Sequence, residues 1–364
     1  MLHSTFAPAT LSARGPVSER LLAALSGRTE RGGTVLDGFE ALAAGALGRA
    51  PDILVDDDLQ LTLFLLYRLH YDGVVPGDEE WEWHPDILAA RVVLERGFEA
   101  ALRGSAPRPP LPAATRDDVA RALFTLTGHE HNPGLALFVA RAASRQQAIE
   151  FLVHRSVYAL READPYAWGI PRLSGRSKSA LIEILADEYG DERVERMHSV
   201  LFETALLSAG LEGDYDASID TVPAITLASL NAISMFGLNR RLRGALVGHL
   251  AAFEMTSTIP SRLYSDGFQR LGFDDSVARY FDVHVESGFA REQSACRDLA
   301  GSLAEDDPEA VGDIMFGASV FLSLDDRQSA HLLGSWADGY SSLRSDARVT
   351  AELPAVTVGE PSGF

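Results

Sequence analysis

Apolar residues recur at helical spacing through most of the chain. In segment 85–103, Ile87, Leu94 and Phe98 lie seven and four residues apart, so a helix would bring them to one face. Alternating apolar and polar runs, which are typical of strands, are absent. The pattern therefore predicts an all-α fold.

The predicted helices are longer and more regular in the second half of the chain. They cover about 135–161, 175–189, 193–209, 221–238, 240–256, 259–271, 274–302, 307–323 and 326–342. The proline-rich segment 105–112 indicates a boundary. We predict a disordered segment 1–18, an N-terminal helical region 19–110, a helical bundle 111–345 and a flexible tail 346–364.

Charge and cysteine content narrow the class of function. Asp and Glu total 52 against 32 Lys and Arg, which gives a net charge of −20. An acidic surface argues against nucleic acid and anionic membrane as partners, and no apolar run reaches the ~18 residues that span a bilayer. Cys296 is the single cysteine, which excludes an internal disulfide and a Cys-rich metal site. We expect a soluble cytoplasmic protein with a small-molecule substrate.

Buried chemistry in an all-α protein is built mainly from carboxylates and imidazoles that project into a bundle. Several Glu and His residues lie among apolar neighbours on predicted helices, and together they form a mixed nitrogen and oxygen set that suits iron or another first-row metal. These candidate metal ligands are Glu150, Glu188, His198, Glu254 and His284.

Each candidate also has a structural explanation when taken alone. Glu195 and His198 have the ExxH spacing of di-iron carboxylate sites, yet Glu195 lies in a charged stretch typical of a surface. His198 fits a hydrogen-bonded core histidine, and Glu254 fits a partner for one of the arginines in 240–243. The residues alone leave these alternatives open.

Several segments resemble one family, the heme-oxygenase-like diiron oxidases and oxygenases, also described as iron-containing redox enzymes. The resemblance rests on segments 57–63, 153–158, 162–168, 187–190, 195–198, 239–249 and 280–286. It implies a heme-oxygenase-like helical bundle, here with an N-terminal helical extension. It also implies a labile diiron centre that uses O2 on amines, amino acids or acyl chains, commonly in specialised metabolism, and a homodimer is common in the family.

The resemblance also implies a ligand set. Glu188, His198 and Glu254 match family ligands, and Glu150 matches an additional carboxylate of the first core helix. The third ligand helix of the family reads His, three residues, Asp, two residues, His. This chain has His284 at the first position but Gly288 and Arg291 at the other two.

The residues at positions 288 and 291 bear on how many metal ions the site can hold. Positions 284, 288 and 291 share one helix face. A guanidinium has donors and no lone pair for a metal, so Arg291 cannot be a ligand. It can instead pair with Glu188 or Glu254 and neutralise carboxylates that a second iron would neutralise. The alternative is a surface arginine on a shifted helix face.

Three hypotheses follow, with Arg291, His284 and His198 as the candidate catalytic residues. The first is a non-heme iron enzyme with one ion, the second site being lost, and O2 as cosubstrate. The second is a metal-free enzyme in which the two histidines transfer protons and Arg291 holds an anionic group. The third is an inactive family member that acts as a binding or partner protein.

Overall fold

The computed structural model describes residues 11–27, 36–76, 78–130, 134–213 and 215–344. Within these ranges the regular structure is helical and contains no strand, so the all-α prediction is confirmed. The α-helices are α1 (Pro16–Leu25), α2 (Phe39–Leu47), α3 (Asp57–Arg68), α4 (Pro85–Ser105), α5 (Arg116–Glu130), α6 (Gly134–Arg141), α7 (Arg145–Ala159), α8 (Asp164–Ala167), α9 (Gly175–Glu188), α10 (His198–Ser208), α11 (Ala224–Leu238), α12 (Arg243–Arg270), α13 (Asp275–Gln293), α14 (Ser302–Asp306) and α15 (Val311–Ala337).

Helix starts follow local capping chemistry. The Asp56 side chain accepts from the backbone N–H of Leu59 and caps α3. Ser144 and Gln147 form a reciprocal capping box at the start of α7. That capping box explains why the predicted helix over 135–161 is divided into α6 and α7.

Two predicted breaks are absent because packing extends the helices. Helix α12 continues through Pro260, with the buried Phe253 before it and the buried Phe268 beyond it. Helix α15 likewise runs unbroken from Val311 to Ala337. Packing of the buried helix segments before and after Pro260 outweighs the local preference of proline to end a helix.

Helix α13 is followed without a break by a π-helical segment, Ser294–Gly301, and then by α14. Such π-helical turns widen the backbone and occur often at functional sites. The segment begins three residues after Arg291, so the helix geometry changes next to the predicted site.

Helix α12 lies at the centre of the bundle and packs against α13 and α15. Its crossing with α15 depends on Gly248 and Gly317. A Cβ at Gly248 would overlap the carbonyl of Ile314, and one at Gly317 would overlap the carbonyl of Ala245. Only glycine permits this backbone contact, which fixes the helix that carries Glu254.

The N-terminal helices share a hydrophobic core with the bundle. One buried cluster extends from Leu11 in the N-terminal region to Leu324 in α15, and α3 packs directly on α11. Residues 1–10 of the predicted disordered segment, and the whole predicted tail 346–364, lie outside the described residues. Helix α1 begins at Pro16, within the predicted 1–18 segment. The proposed division into regions remains a prediction.

Among the described residues, no helix has both the length and the apolar character needed to cross a membrane.

Candidate metal centre

Six ionisable side chains meet inside the bundle, and we refer to them as the central cluster. They come from the turn after α7, the last residue of α9, the first residue of α10, the middle of α12 and two positions on α13. All six are buried, with exposed fractions of 7% or less. The central cluster consists of Glu162, Glu188, His198, Glu254, His284 and Arg291.

Arg291 lies at the middle of these contacts. Its Nη1 donates to Glu188 Oε1 at 2.8 Å, and the same atom lies 3.9 Å from Glu254 Oε2. Its Nη2 lies 3.4 Å from His198 Nε2 and also pairs with Asp187. Burial lowers the pKa of Arg291 to about 10, so it remains a cation at neutral pH. The hypothesis of a surface arginine is not supported by this position.

Glu188 and His198 form an ion pair. His198 Nδ1 lies 2.8 Å from Glu188 Oε2. Burial opposes the charge on both groups, but each partner favours the charged form of the other. The pKa of Glu188 is therefore lowered and the pKa of His198 is raised. With Arg291 on its other oxygen, Glu188 is held as a carboxylate.

The pKa values of Glu254 and Glu162 are raised, whereas that of Glu188 is lowered. Burial, together with the charge of Glu188, raises the pKa of Glu162 to about 7. The same two causes raise the pKa of Glu254 well above its usual value. The Tyr280 hydroxyl donates to Glu162 Oε2 at 3.4 Å, whereas neither Glu162 Oε1 nor Glu254 Oε1 has a hydrogen-bond partner among the described residues.

His284 offers a nitrogen lone pair to the same space. Its Nδ1 donates to the carbonyl of Tyr280 at 2.9 Å, which leaves Nε2 without a proton. Nε2 is buried and has no partner among the described side chains. Burial and the nearby His198, whose ring centre is 4.6 Å away, lower the pKa of His284 to about 3. A backbone bond of this kind orients many metal-ligating histidines.

Gly288 is packed too closely for a larger residue. A Cβ at this position would overlap the side chain of Thr258 on α12. The Thr258 hydroxyl also donates to Glu292 at 3.3 Å. An aspartate at position 288 would therefore require a smaller residue at position 258, so the departure from the family pattern involves the facing helix as well.

The structure does not bring Glu150 into the central cluster, and its role as a metal ligand stays a prediction. Its Oε2 accepts hydrogen bonds from the Trp336 indole and from both the backbone N–H and the hydroxyl of Ser342, each at 2.8 Å. These donors lower its pKa although burial opposes ionisation. Glu150 lies about two and a half helical turns before the end of α7, whereas Glu162 of the central cluster lies beyond that end.

The sequence analysis missed Glu162, although it quoted the segment that contains it. A periodicity signal was present, because Phe151, Arg155, Tyr158 and Glu162 have spacings that continue one helix face. Glu195, the other half of the ExxH pair, is exposed in the short 3-10 turn Val194–Arg196 and does not accompany His198.

The donor chemistry fits one metal ion better than two. Glu162 Oε1, Glu254 Oε1 and His284 Nε2 are buried acceptors without donors, as a cation site requires. As placed, however, no three His, Cys, Asp or Glu side chains in the described part of the chain are grouped closely enough to enclose a metal ion. The guanidinium of Arg291 lies against the remaining pair, Glu188 and His198.

A pocket of about 320 Å³ adjoins the central cluster. Glu162, Glu188 and His198 line it, together with Glu203 and Tyr189. It provides room for a small molecule beside the cluster.

Part of the chain is similar to a known protein family. A sequence model described as iron-containing redox enzyme matches residues 149–326, a range that includes every member of the central cluster. This match confirms the resemblance and supports the heme-oxygenase-like bundle.

Nitrosourea synthase from Streptomyces achromogenes subsp. streptozoticus is similar to part of the chain. The two are 29% identical over 174 residues, which is 48% of this chain and 37% of the relative. The match thus spans less than two-fifths of the relative's length. Together the two comparisons support an iron-dependent oxidative function.

Proposed function

We propose that this chain is an oxidative enzyme that holds one non-heme iron ion and uses O2 on a small molecule. Glu162, Glu254 and His284 would hold the ion. Arg291 replaces the second ion by supplying positive charge to Glu188. Iron, when bound, supplies the capacity to activate O2 for substrate oxidation.

The observation that carries this proposal is a set of three buried acceptors, outside the Glu188–His198 ion pair, that have no donor among the described residues. Buried polar atoms in native proteins are almost always paired, so three orphans in one cluster indicate a missing cationic partner. Since the side chains do not enclose an ion as placed, binding requires them to close on it.

The other residues of the site have positioning roles. Tyr280 donates to Glu162 through its hydroxyl and accepts from His284 Nδ1 through its carbonyl, so one residue orients two of the proposed ligands. Arg291 keeps Glu188 and His198 engaged with each other and away from the ion. The pocket of about 320 Å³ admits a small amine, amino acid or acyl substrate.

A cytoplasmic location and a role in specialised metabolism belong to the same proposal. The likeness to nitrosourea synthase supports the biosynthetic role, and the buried, unpaired Cys296 is compatible with a reducing compartment. A homodimer is proposed only by analogy with the family.

Anaerobic Fe(II) titration of the metal-free protein tests the proposal. We expect one equivalent of iron per chain, lost in Glu254→Gln and His284→Gln and retained in Glu150→Gln. Glu150 is the matched control because it is an equally buried glutamate with its own donors. Absence of uptake by the natural chain, or uptake that His284→Gln leaves unchanged, would contradict the proposal.

A combined variant tests the role assigned to Arg291. Gly288→Asp with Arg291→His restores the family pattern, and Thr258→Ala removes the side chain that a Cβ at position 288 would overlap. We expect two equivalents of iron in this triple variant and one in Thr258→Ala alone. A single equivalent in both would show that Arg291 does not take the place of an ion.

A metal-free protein is the second candidate. It is favoured by the bond between Arg291 and Glu188 and by the absence of an enclosing donor set among the described residues. In that case Glu162 and Glu254 are protonated inside the bundle, and the chain binds a small molecule without iron. The same titration separates the two functions.

A further inference from the structure

A chain of hydrogen bonds runs from Arg155 to one of the proposed iron ligands. Arg155 lies on α7, and Glu162 follows it by seven residues, so the two side chains are on the same side of the helix. Tyr280 of α13 connects them. Its hydroxyl receives a hydrogen bond from the Arg155 guanidinium and donates to Glu162 Oε2 at 3.4 Å.

The direction of this chain follows from the chemistry of its members. A guanidinium only donates hydrogen bonds, and a tyrosine hydroxyl has one proton and two lone pairs. The Tyr280 hydroxyl must therefore accept from Arg155, and its single proton is available for Glu162. Oε2 of Glu162 then has a donor, whereas Oε1 has none among the described residues. The oxygen without a donor is the one left for an ion.

Electrostatics favour the same arrangement. Desolvation opposes the charge on Arg155, but Tyr280 and Glu162 raise its pKa above the ordinary value, so the guanidinium stays a cation. Burial raises the pKa of Tyr280, and the hydrogen bond from Arg155 acts in the other direction. A cation that donates to a hydroxyl polarises the O–H bond. The donation from Tyr280 to Glu162 is therefore stronger than it would be without Arg155.

Packing fixes both donors. The guanidinium carbon of Arg155 lies 5.6 Å from the ring centre of Tyr158, one turn further along α7, within the range of a cation–π interaction. Tyr280 is fully buried, and its ring centre lies 4.7 Å from that of Phe202 and 5.0 Å from that of Phe281. Neither donor depends on a loop for its position.

We propose that Arg155 is a positioning residue of the iron site, because through Tyr280 it orients the Glu162 carboxylate so that Oε1 is left for the ion. The inference rests on the proposed function, since it takes Glu162 as an iron ligand. It adds to that function a cation that acts through a neighbour. Partners that orient a metal ligand in this way contribute strongly to metal affinity.

Anaerobic Fe(II) titration of the full chain tests the inference by the sign of the effect. Arg155→Met is expected to weaken Fe(II) binding by about tenfold to hundredfold, the usual result of losing such a partner. A purely electrostatic role predicts the reverse, because removing a nearby cation relieves repulsion of Fe(II). Equal or tighter binding in Arg155→Met would overturn the inference.

Two further variants accompany this titration. Arg155→Lys keeps the charge and a donor, so it should recover part of the lost affinity. Arg279→Met is the matched control, because it removes an exposed arginine next to Tyr280 on α13 that pairs with Glu286. It should bind Fe(II) as the natural chain does.

Removal of the connecting hydroxyl tests the route. Tyr280→Phe is expected to weaken Fe(II) binding by a similar factor, which keeps the test decisive if Arg155→Met does not fold. Adding Arg155→Met to Tyr280→Phe should then cause no further loss, because the route is already interrupted. Unchanged affinity in Tyr280→Phe, or a full additional loss in the double variant, would overturn the inference.

The metal-free protein separates this inference from the proposed function. In urea denaturation, the effects of Arg155→Met and Tyr280→Phe should be less than additive, since each breaks the same chain of hydrogen bonds. Additive effects would overturn the inference whether or not iron binds. Iron uptake that Arg155→Met leaves unchanged would overturn only the inference. Absence of uptake by the natural chain, with non-additive effects in urea, would overturn only the proposed iron enzyme and leave Arg155 as the residue that orients Glu162.

Discussion

Glu150 and Glu254 are both buried glutamates on helices of the same bundle, but their surroundings differ. Glu254 is 1% exposed and has an oxygen without any donor among the described residues. Glu150 is 4% exposed and accepts three hydrogen bonds on one oxygen. Burial alone therefore does not distinguish a structural carboxylate from a functional one.

The Glu150 network is closed. Ser342 donates to Glu150, and the same hydroxyl lies 3.1 Å from His154 Nε2. His154 Nδ1 lies 2.8 Å from the hydroxyl of Thr226. This chain of donors and acceptors fits a neutral imidazole that donates from Nε2 and accepts at Nδ1. A satisfied network of this kind holds elements together and has no acceptor left for a ligand.

The central cluster differs because some of its buried acceptors have no donor among the described residues. Outside the Glu188–His198 ion pair it retains three acceptors without donors among the described residues, and Arg291 is its permanent cation. Sites with strained electrostatics of this kind are candidates for function, because the unfavourable state is relieved when a ligand binds. The following predictions challenge this contrast, from the largest expected effect to the smallest.

Replacing the internal cation should destabilise the metal-free protein most. Arg291→Met is expected to lower the free energy of unfolding by about 3 to 5 kcal/mol, since Glu188 and Asp187 both lose the guanidinium and Glu188 keeps only His198 as a cationic partner. Urea denaturation at pH 7 measures the loss. Adding Glu188→Gln should recover part of it, whereas Arg279→Met is the exposed control. A loss of unfolding free energy below about 1 kcal/mol is typical of an exposed ion pair. That result would show that Arg291 does not neutralise a buried carboxylate.

Removing each glutamate should have different consequences. Glu150→Ala is expected to cost about 2 to 3 kcal/mol, because the donors of Trp336 and Ser342 lose a charged acceptor inside the protein. Glu254→Gln should leave stability within about 1 kcal/mol of the original, since it removes a carboxyl that has no donors. Equal losses in urea denaturation would abolish the contrast between the two regions.

The hydrogen-bond network around Glu150 should make stability depend on pH through His154, and this is the smallest of the expected effects. Burial, with a contribution from His331, lowers the pKa of His154 to about 3, below the value of about 6.5 in an unfolded chain. The unfolded state therefore binds more protons between these pH values, so stability is full above pH 6.5 and falls as the pH is lowered.

Replacing that histidine measures its share of the effect. His154→Gln should reduce the slope of unfolding free energy against pH by about 1 kcal/mol per pH unit below pH 6.5. The half-buried His84 provides a comparison variant, His84→Gln, which leaves the contribution of His154 to the slope in place. An unchanged slope in His154→Gln would show that His154 is not held neutral by the fold.

The sequence predicted the helical class and much of the cluster for physical reasons that can be traced. Glu188, His198, Glu254 and His284 were found because charged residues among apolar neighbours on a helix face the interior. Glu150 satisfied the same criterion, whereas Glu162, although it continues one face of α7, lies in the turn beyond the end of that helix. Periodicity ranks residues by burial and carries no information about the donors that surround them.

The sequence by itself determined the all-α fold, through helical spacing of apolar residues, and it has Gly288 and Arg291 where the resemblance predicts two metal ligands. Only the tertiary structure decided which buried glutamate has hydrogen-bond donors and which has an oxygen without one. It also decided that Arg291 points into the central cluster. The reason is that hydrogen-bond partners such as Trp336 and Ser342 lie nearly two hundred positions from Glu150 along the chain. Local patterns place a side chain inside, and the packing of distant helices decides what it meets there.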